Sequence, residues 1–88
     1  MTRNELTALI RTGRPVTGLR IQELDLSTMN LAGALFEQVH FSKVNLQGAD
    51  LRQTVWRESS ICGSDLQGAD CSGMRAKKLD FSGSNLGP

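Results

Sequence analysis

The chain is short, at 88 residues and 9.6 kDa, which leaves room for one domain and excludes multi-domain enzymes. Its 10 Lys and Arg residues nearly balance its 9 Asp and Glu residues. The formal charge of +1 therefore gives neither the basic excess of a phosphate-binding protein nor the acidic excess of a nucleic-acid mimic. Only 5% of the residues are aromatic, too few for an ordinary small core, so we expect another kind of architecture.

The beginning of the chain has the pattern of a short capping helix. Thr2 and Glu5 have the spacing of a capping box. Three apolar residues then share one helical face: Leu6, Leu9 and Ile10. Gly13 and Pro15 end the segment. We assign residues 1–18 to a helical cap and the turn that leads into the rest of the chain, because an uncovered solenoid would expose its apolar interior.

The rest of the chain repeats every five residues. The residues at this step are all apolar: Ile21, Leu26, Leu31, Phe36, Phe41, Leu46, Leu51, Trp56, Ile61, Leu66, Cys71, Ala76, Phe81 and Leu86. We call these residues the repeat centres. The residue two places before each centre is small or apolar, and Asp or Asn often stands between the two. Gly often lies two places after the centre. This period matches neither the 3.6 residues of a helix nor the 2.0 of a strand. It predicts a solenoid that turns a corner every five residues and holds both apolar series inside.

A second period of twenty residues follows from the first. The segment 46–50, Leu-Gln-Gly-Ala-Asp, recurs at 66–70. Four corners make one coil, so residues twenty apart should stack in columns, with Leu46 and Leu66 directly one over the other.

The motif resembles that of the pentapeptide-repeat family, A-(D/N)-L-x-x. It stands here as Ala49-Asp50-Leu51, with variants at 64–66, 69–71 and 84–86, and the resemblance covers residues 19–88. It implies an all-β solenoid: a right-handed quadrilateral parallel β-helix of about three and a half coils with a short N-terminal capping α-helix.

One side of the predicted prism departs from the motif. Residues 34–38, 54–58 and 74–78 have no Asp or Asn before the centre and no Gly after it, and Leu35 and Val55 take outward positions. Charged residues surround this apolar pair: Glu37, Arg57, Glu58, Arg75, Lys77 and Lys78. We predict an interaction patch formed by Leu35, Val55, Arg57, Glu58, Arg75, Lys77 and Lys78. The alternative is that the fold tolerates these substitutions without a purpose.

The repeat is still running at Pro88, and we therefore expect the last coil to be uncovered. Some members of the family dimerise through their C-terminal coils, and the resemblance therefore implies a homodimer with end-to-end contacts at Phe81 and Leu86. The alternatives are a truncated chain and a frayed last repeat, since terminal repeats are often atypical.

The sequence predicts no catalytic, cofactor or metal site. Stacking by twenty puts His40, Ser60 and Asp80 in one outward file with Arg20, but a catalytic triad needs the histidine between the other two. Cys71 should point inward and Cys62 outward on another side, so no metal-binding cluster converges.

These observations favour a non-enzymatic structural or protein-interaction module, an adaptor or scaffold whose protein partner the sequence does not identify. The resemblance adds an accessory role in a bacterial secretion system or effector. The alternative is a DNA mimic that modulates DNA gyrase or another topoisomerase, which the charge of +1 disfavours. We expect no nucleic-acid or membrane partner. A cytoplasmic location is expected, because the apolar stretch Leu6–Ile10 is too short for a signal peptide or a membrane span and two cysteines cannot form a disulfide framework.

Overall fold

The protein is a parallel β-solenoid with one N-terminal helix, in a computed structural model that describes residues 2–85. Helix α1 comes first and six strands follow: α1 Arg3–Arg11, β1 Val16–Thr17, β2 Arg20–Gln22, β3 Leu35–Glu37, β4 His40–Ser42, β5 Val55–Cys62 and β6 Arg75–Asp80. All strand pairs are parallel, and each residue pairs with the residue twenty positions away. The predicted fold class and the coil of twenty residues are therefore confirmed.

The sheet runs around the prism. The strand order is β1-β3-β5-β4-β2, and β6 pairs with β5. Strand β5 turns a corner, because its first part pairs with β3 and its last part pairs with β4. Isolated parallel bridges connect the coils on the two remaining sides: Asp25 to Asn45, Asn30 to Asp50, Asn45 to Asp65, Asp50 to Asp70 and Asp65 to Asn85. The amide of Leu46 donates to the carbonyl of Asp65 at 2.7 Å, which places Leu46 beside Leu66 as the repeat predicts.

The core fills the inside of the prism with the two predicted inward series. Its buried apolar members in the solenoid are Val16, Ile21, Leu26, Met29, Leu31, Ala34, Phe36, Val39, Phe41, Val44, Leu46, Ala49, Leu51, Trp56, Ile61 and Leu66. Phe36 and Trp56 stack with their ring centroids 4.2 Å apart, and Phe41 meets the edge of Trp56 at 5.5 Å. Because similar side chains of successive coils stack on one another, a chain with few aromatic residues can still form a continuous core.

The corners form in the same way at each repeat. The residue two places after each centre has a positive φ, whether it is a glycine such as Gly48 or another residue such as Thr28. Where Asp or Asn precedes the centre, its side-chain oxygen accepts a hydrogen bond from the backbone amide two residues later, with N to Oδ1 distances of 2.8–3.1 Å. These side chains thus support the turn at each corner where they occur.

Helix α1 covers the first coil. Thr2 and Glu5 form the predicted capping box, and the side chain of Leu6 is fully buried. Ile10 is half-buried, but Leu9 remains 39% exposed, so the face that meets the solenoid is narrower than the sequence predicted. Strand β1 lies within the segment 1–18 and pairs with β3, so the solenoid's first strand follows the helix closely.

Candidate functional site

The side of the prism formed by residues 34–38, 54–58 and 74–78, here called the charged side, carries two rows of outward side chains. Strand pairing places Leu35, Val55 and Arg75 in one row, in that order up the coils. It places Glu37, Arg57 and Lys77 in the second row. The structure therefore brings the residues of the predicted patch onto one surface, with Glu58 and Lys78 at the adjoining corner.

The charges of this side are unevenly paired. The Arg57 Nη1 lies 3.7 Å from the Glu37 Oε1 of the strand below. Within residues 2–85, Arg75, Lys77 and Lys78 have no ion-pair partner, so the upper end of the charged side is cationic. Sequence reasoning counted Glu37 among the surrounding charges but not in the patch. The twenty-residue offset between Glu37 and Arg57 was the feature that could have identified the pair.

The apolar pair on this side is less accessible than the sequence predicted. Leu35 and Val55 are half-buried. Above them a shallow hollow is lined by Val55, Trp56, Arg57, Arg75, Ala76 and Lys77. The accessible part of the charged side therefore lies near its upper end.

The last described coil is uncovered. In the same columns, Trp56 and Leu51 are fully buried, whereas Ala76 and Cys71 above them are exposed. Phe81, predicted as an end-to-end contact, is half-buried, and Leu86, its predicted partner in that contact, lies outside the described residues. Strand β6 pairs with β5 and with no other strand of the described part of the chain.

His40 and Ser60 form a hydrogen bond in the outward file that the sequence predicted. The His40 Nδ1 and the Ser60 Oγ are 2.8 Å apart. Asp80 pairs with Ser60 through the strand register, but its carboxylate accepts hydrogen bonds from the hydroxyl and the amide of Ser82, which hold its pKa below the usual value. The histidine thus has the serine on one side and no carboxylate on the other, an order that does not make a triad.

The two cysteines do not form a reactive pair. Cys71 is a repeat centre, but it is exposed, because no described coil covers it. Partial burial against the coil below raises the pKa of its thiol, and the charge of Asp70 acts in the same direction. Cys62 is half-buried on another side. A thiol with a raised pKa is a weak nucleophile at neutral pH.

The described residues contain neither a metal-binding cluster nor a membrane-spanning helix. Within residues 2–85, no group of three or more His, Cys, Asp and Glu side chains converges in a way that could hold a metal ion. The one helix found there is too short to cross a membrane.

Comparison with known proteins identifies the repeat. Residues 22–55 and 57–87 match the family model for pentapeptide repeats, in 8 copies. No curated protein matches the chain. A solved pentapeptide repeat protein from the cyanobacterium Cyanothece 51142, Rfr23, is 19% identical, with a TM-score of 0.52 over 82% of this chain and 60% of that one. This likeness supports the fold alone.

Two other solved structures are more distant. A pentapeptide repeat protein from the thylakoid lumen of Arabidopsis thaliana is 16% identical, with a TM-score of 0.49 over 88% of this chain and 66% of that one. QnrB1, a plasmid-mediated fluoroquinolone resistance protein, is 18% identical, with a TM-score of 0.41 over 82% of this chain and 50% of that one. The chain thus spans less than two thirds of the length of each of these proteins.

Proposed function

This chain belongs to the pentapeptide-repeat family, and from that premise we propose that it is a non-enzymatic protein-interaction module, an adaptor or scaffold that binds a protein through its charged side. Members of the family are generally structural or interaction modules. The function is carried by the surface and not by the fold, because a solenoid of this kind accepts many outward side chains without a change in its core.

The observation that carries the proposal is the row of Leu35, Val55 and Arg75. The regular sides of the prism have polar residues at these outward positions, whereas this side has two half-buried apolar residues beside unpaired cations. An apolar centre with a charged rim is the usual anatomy of a protein-binding surface. The uncovered last coil adjoins it and enlarges the accessible apolar area.

A capture experiment with matched variants tests this function. Val55→Asp places a carboxylate in the middle of the charged side, and Arg75 directly above it in the row offers a cross-strand partner, so the fold should be retained. The control is Gln22→Asp, an exposed outward position on another strand. A specific partner, identified by mass spectrometry after cross-linking in extracts of the source organism, should be captured by the wild type and by Gln22→Asp but not by Val55→Asp. If Val55→Asp captures the same partner at the same level, the charged side is not the binding surface.

A second copy of the chain is the alternative partner. The supporting observation is the exposure of the last coil, where Phe81 is half-buried and Ala76 and Cys71 are exposed. Light scattering of the purified chain at high concentration tests this. A dimer that Phe81→Asp dissociates would support end-to-end pairing, and a strictly monomeric chain would reject it.

Modulation of DNA gyrase by DNA mimicry has less support. A mimic of the phosphate backbone needs a regular negative surface, whereas the charged side ends in Arg57, Arg75, Lys77 and Lys78. Dose-dependent inhibition or protection of gyrase in a supercoiling assay would nevertheless replace the interaction-module proposal.

A further inference from the structure

Within the described residues, one edge of strand β6 has no neighbouring strand, and such an edge can accept another strand. In the coils below, the amide of Gln38 donates to the carbonyl of Arg57 at 2.9 Å, so a residue at this corner pairs with the coil above it. Lys78 has the same position in the last coil, and residues 2–85 provide no coil above it. Exposed edges with unpaired backbone groups are the sites at which proteins add a peptide strand.

The inward position of this edge has room for an apolar side chain. The column contains Phe36 and Trp56, which are fully buried and stacked, and then Ala76, which is exposed. Ala76 is exposed because no described coil covers it. A large apolar residue on a further strand, placed over Ala76, would continue the column and bury Ala76.

The outward positions of this edge select for negative charge. Arg75 and Lys77 flank Ala76 and have no ion-pair partner within the described residues. One coil below, in the row of Lys77, Arg57 reaches the carboxylate of Glu37 on the adjacent strand at 3.7 Å. The same geometry would let a carboxylate on a further strand reach Lys77, and another reach Arg75.

We propose that β6 binds an extended acidic peptide segment, which adds as a further parallel strand with an apolar residue over Ala76 and carboxylates over Arg75 and Lys77. This inference rests on the proposed function and specifies the chemistry of the partner. A second copy of the chain fits the edge less well, because it would bring another set of the same cations to the interface. A nucleic acid supplies negative charge but not the alternating amide and carbonyl groups that pair with a strand.

A binding titration with defined peptides tests the charge requirement. The probe is a fluorescein-labelled peptide, Gly-Ser-Asp-Glu-Phe-Glu-Asp-Ser-Gly, and the control peptide has Lys at each acidic position. The variant Arg75→Glu/Lys77→Glu is compared with Arg14→Glu/Lys43→Glu, which makes the same change in net charge at exposed positions away from the edge.

The wild type and Arg14→Glu/Lys43→Glu should bind the acidic peptide at least about tenfold more tightly than the lysine peptide, as expected for several cross-strand charge pairs. Arg75→Glu/Lys77→Glu should lose this binding and prefer the lysine peptide, a gain that a misfolded variant would not show. Equal losses in the two charge variants would mean that only net charge matters and would overturn the proposal.

A second measurement tests strand addition itself. Methylation of one backbone nitrogen at a time removes one donor, and in a strand only alternate nitrogens point towards the neighbour. Binding should therefore weaken at alternate positions along the peptide. Equal sensitivity at every position, equally tight binding of a single-stranded DNA of the same charge, or a dimer that already occupies β6 would each overturn the proposal. If the peptide fails but Val55→Asp still abolishes partner capture, the interaction module stands and the acidic strand is rejected.

Discussion

The indole Nε1 of Trp56 donates a hydrogen bond to the hydroxyl of Thr54 at 3.0 Å, and that hydroxyl donates to the carbonyl of Leu51 at 2.9 Å. Both Thr54 and Trp56 are fully buried. A buried indole N–H needs an acceptor, and the inward position two places before the centre is the nearest one that the repeat offers. Three other repeats have alanine at this position, which offers no acceptor, whereas Thr54 satisfies the tryptophan at the next centre.

Replacement of Thr54 by valine should destabilise the fold while leaving the core volume nearly unchanged. Thr54→Val removes the acceptor of the Trp56 N–H, and an unsatisfied buried donor costs about 1–3 kcal/mol. Urea denaturation followed by the fluorescence of Trp56, the only tryptophan, measures the free energy of unfolding. Thr54→Ser keeps the hydroxyl and is the control. Unfolding of Thr54→Val at the wild-type urea concentration would contradict the assigned hydrogen bond.

The corners of the solenoid provide a second, backbone-based prediction. Thr28 and Gly48 occupy the same corner in successive coils, with φ of 58° and 66°. A β-branched residue is strained in this region, whereas glycine is not. A Cβ added at Gly48 would lie 3.6 Å from the Thr28 Cγ2, an ordinary contact, so a substitution there would test the backbone alone.

Thr28→Gly should therefore stabilise the chain and Gly48→Ala should destabilise it, each by about 1 kcal/mol. The same urea titration measures both. Thr28→Gly also removes the short hydrogen bond from the Thr28 hydroxyl to the carbonyl of Ser27, which makes its gain the smaller of the two changes. Destabilisation by Thr28→Gly comparable to that of Gly48→Ala would show that the side chain, and not the backbone, determines this corner.

The sequence predicted the stacking because the repeat imposes it. Once every fifth residue is apolar and four corners close a coil, Leu46 must lie beside Leu66, and the parallel bridge between Asn45 and Asp65 confirms this. The predicted surface rows follow from the same offset. Period and register were therefore predictable from residue types alone.

Features that depend on individual atoms were not predictable in this way. The sequence did not indicate that Glu58 and Lys78 adopt the left-handed conformation of the glycine corners, since only the closure of the coil requires it. It also gave no reason for serine at inward positions. There the hydroxyls of Ser59 and Ser64 accept hydrogen bonds from the backbone amides of Val39 and Val44 in the coil below, at 3.1 and 3.0 Å.

Acidification should weaken the corners that carry aspartate. Hydrogen bonds from the side chain and the amide of the residue two places on lower the pKa of Asp25, Asp70 and Asp80, with Ser27, Ser72 and Ser82 as the donors. Since the pKa of each is lower in the folded chain than the value of about 3.9 in an unfolded one, the ionised carboxylates stabilise the fold above that pH. This contribution is lost as the pH falls through the lower, folded-state values.

The free energy of unfolding should thus be nearly constant from about pH 7 to pH 5 and decrease below about pH 4. The variant with Asp25, Asp70 and Asp80 replaced by asparagine is the control. Asn45 accepts a hydrogen bond from the amide of Gln47 at the same kind of corner, so the turn should persist when asparagine replaces aspartate. Urea titrations at pH 6 and pH 3 should show a smaller loss for the variant. An equal loss in the two proteins would mean that other groups cause the acid sensitivity.

The capping helix should stabilise the solenoid through one side chain more than through the others. Leu6 is fully buried over the first coil, whereas Leu9 is 39% exposed. Leu6→Ala should therefore cost about 2–5 kcal/mol, as for other buried leucines. Leu9→Ala should change stability by less than about 0.5 kcal/mol. Urea denaturation measures the free energy of unfolding of both variants. An equal loss in the two would contradict the packing of α1 on the first coil through Leu6.

The uncovered end should make the last coil the least protected part of the chain. Two amides in one column allow a matched comparison, because Val55 donates to Ala34 and Arg75 donates to Thr54, both at 2.9 Å. Each coil is stabilised by its neighbours, and the coil of Arg75 has a described neighbour on one side only. Hydrogen exchange at Arg75 should therefore be faster than at Val55, and the acidic peptide, if it adds to β6, should slow it. Equal protection of the two amides without peptide would show that the solenoid unfolds as one unit and that its open end is not a weak point.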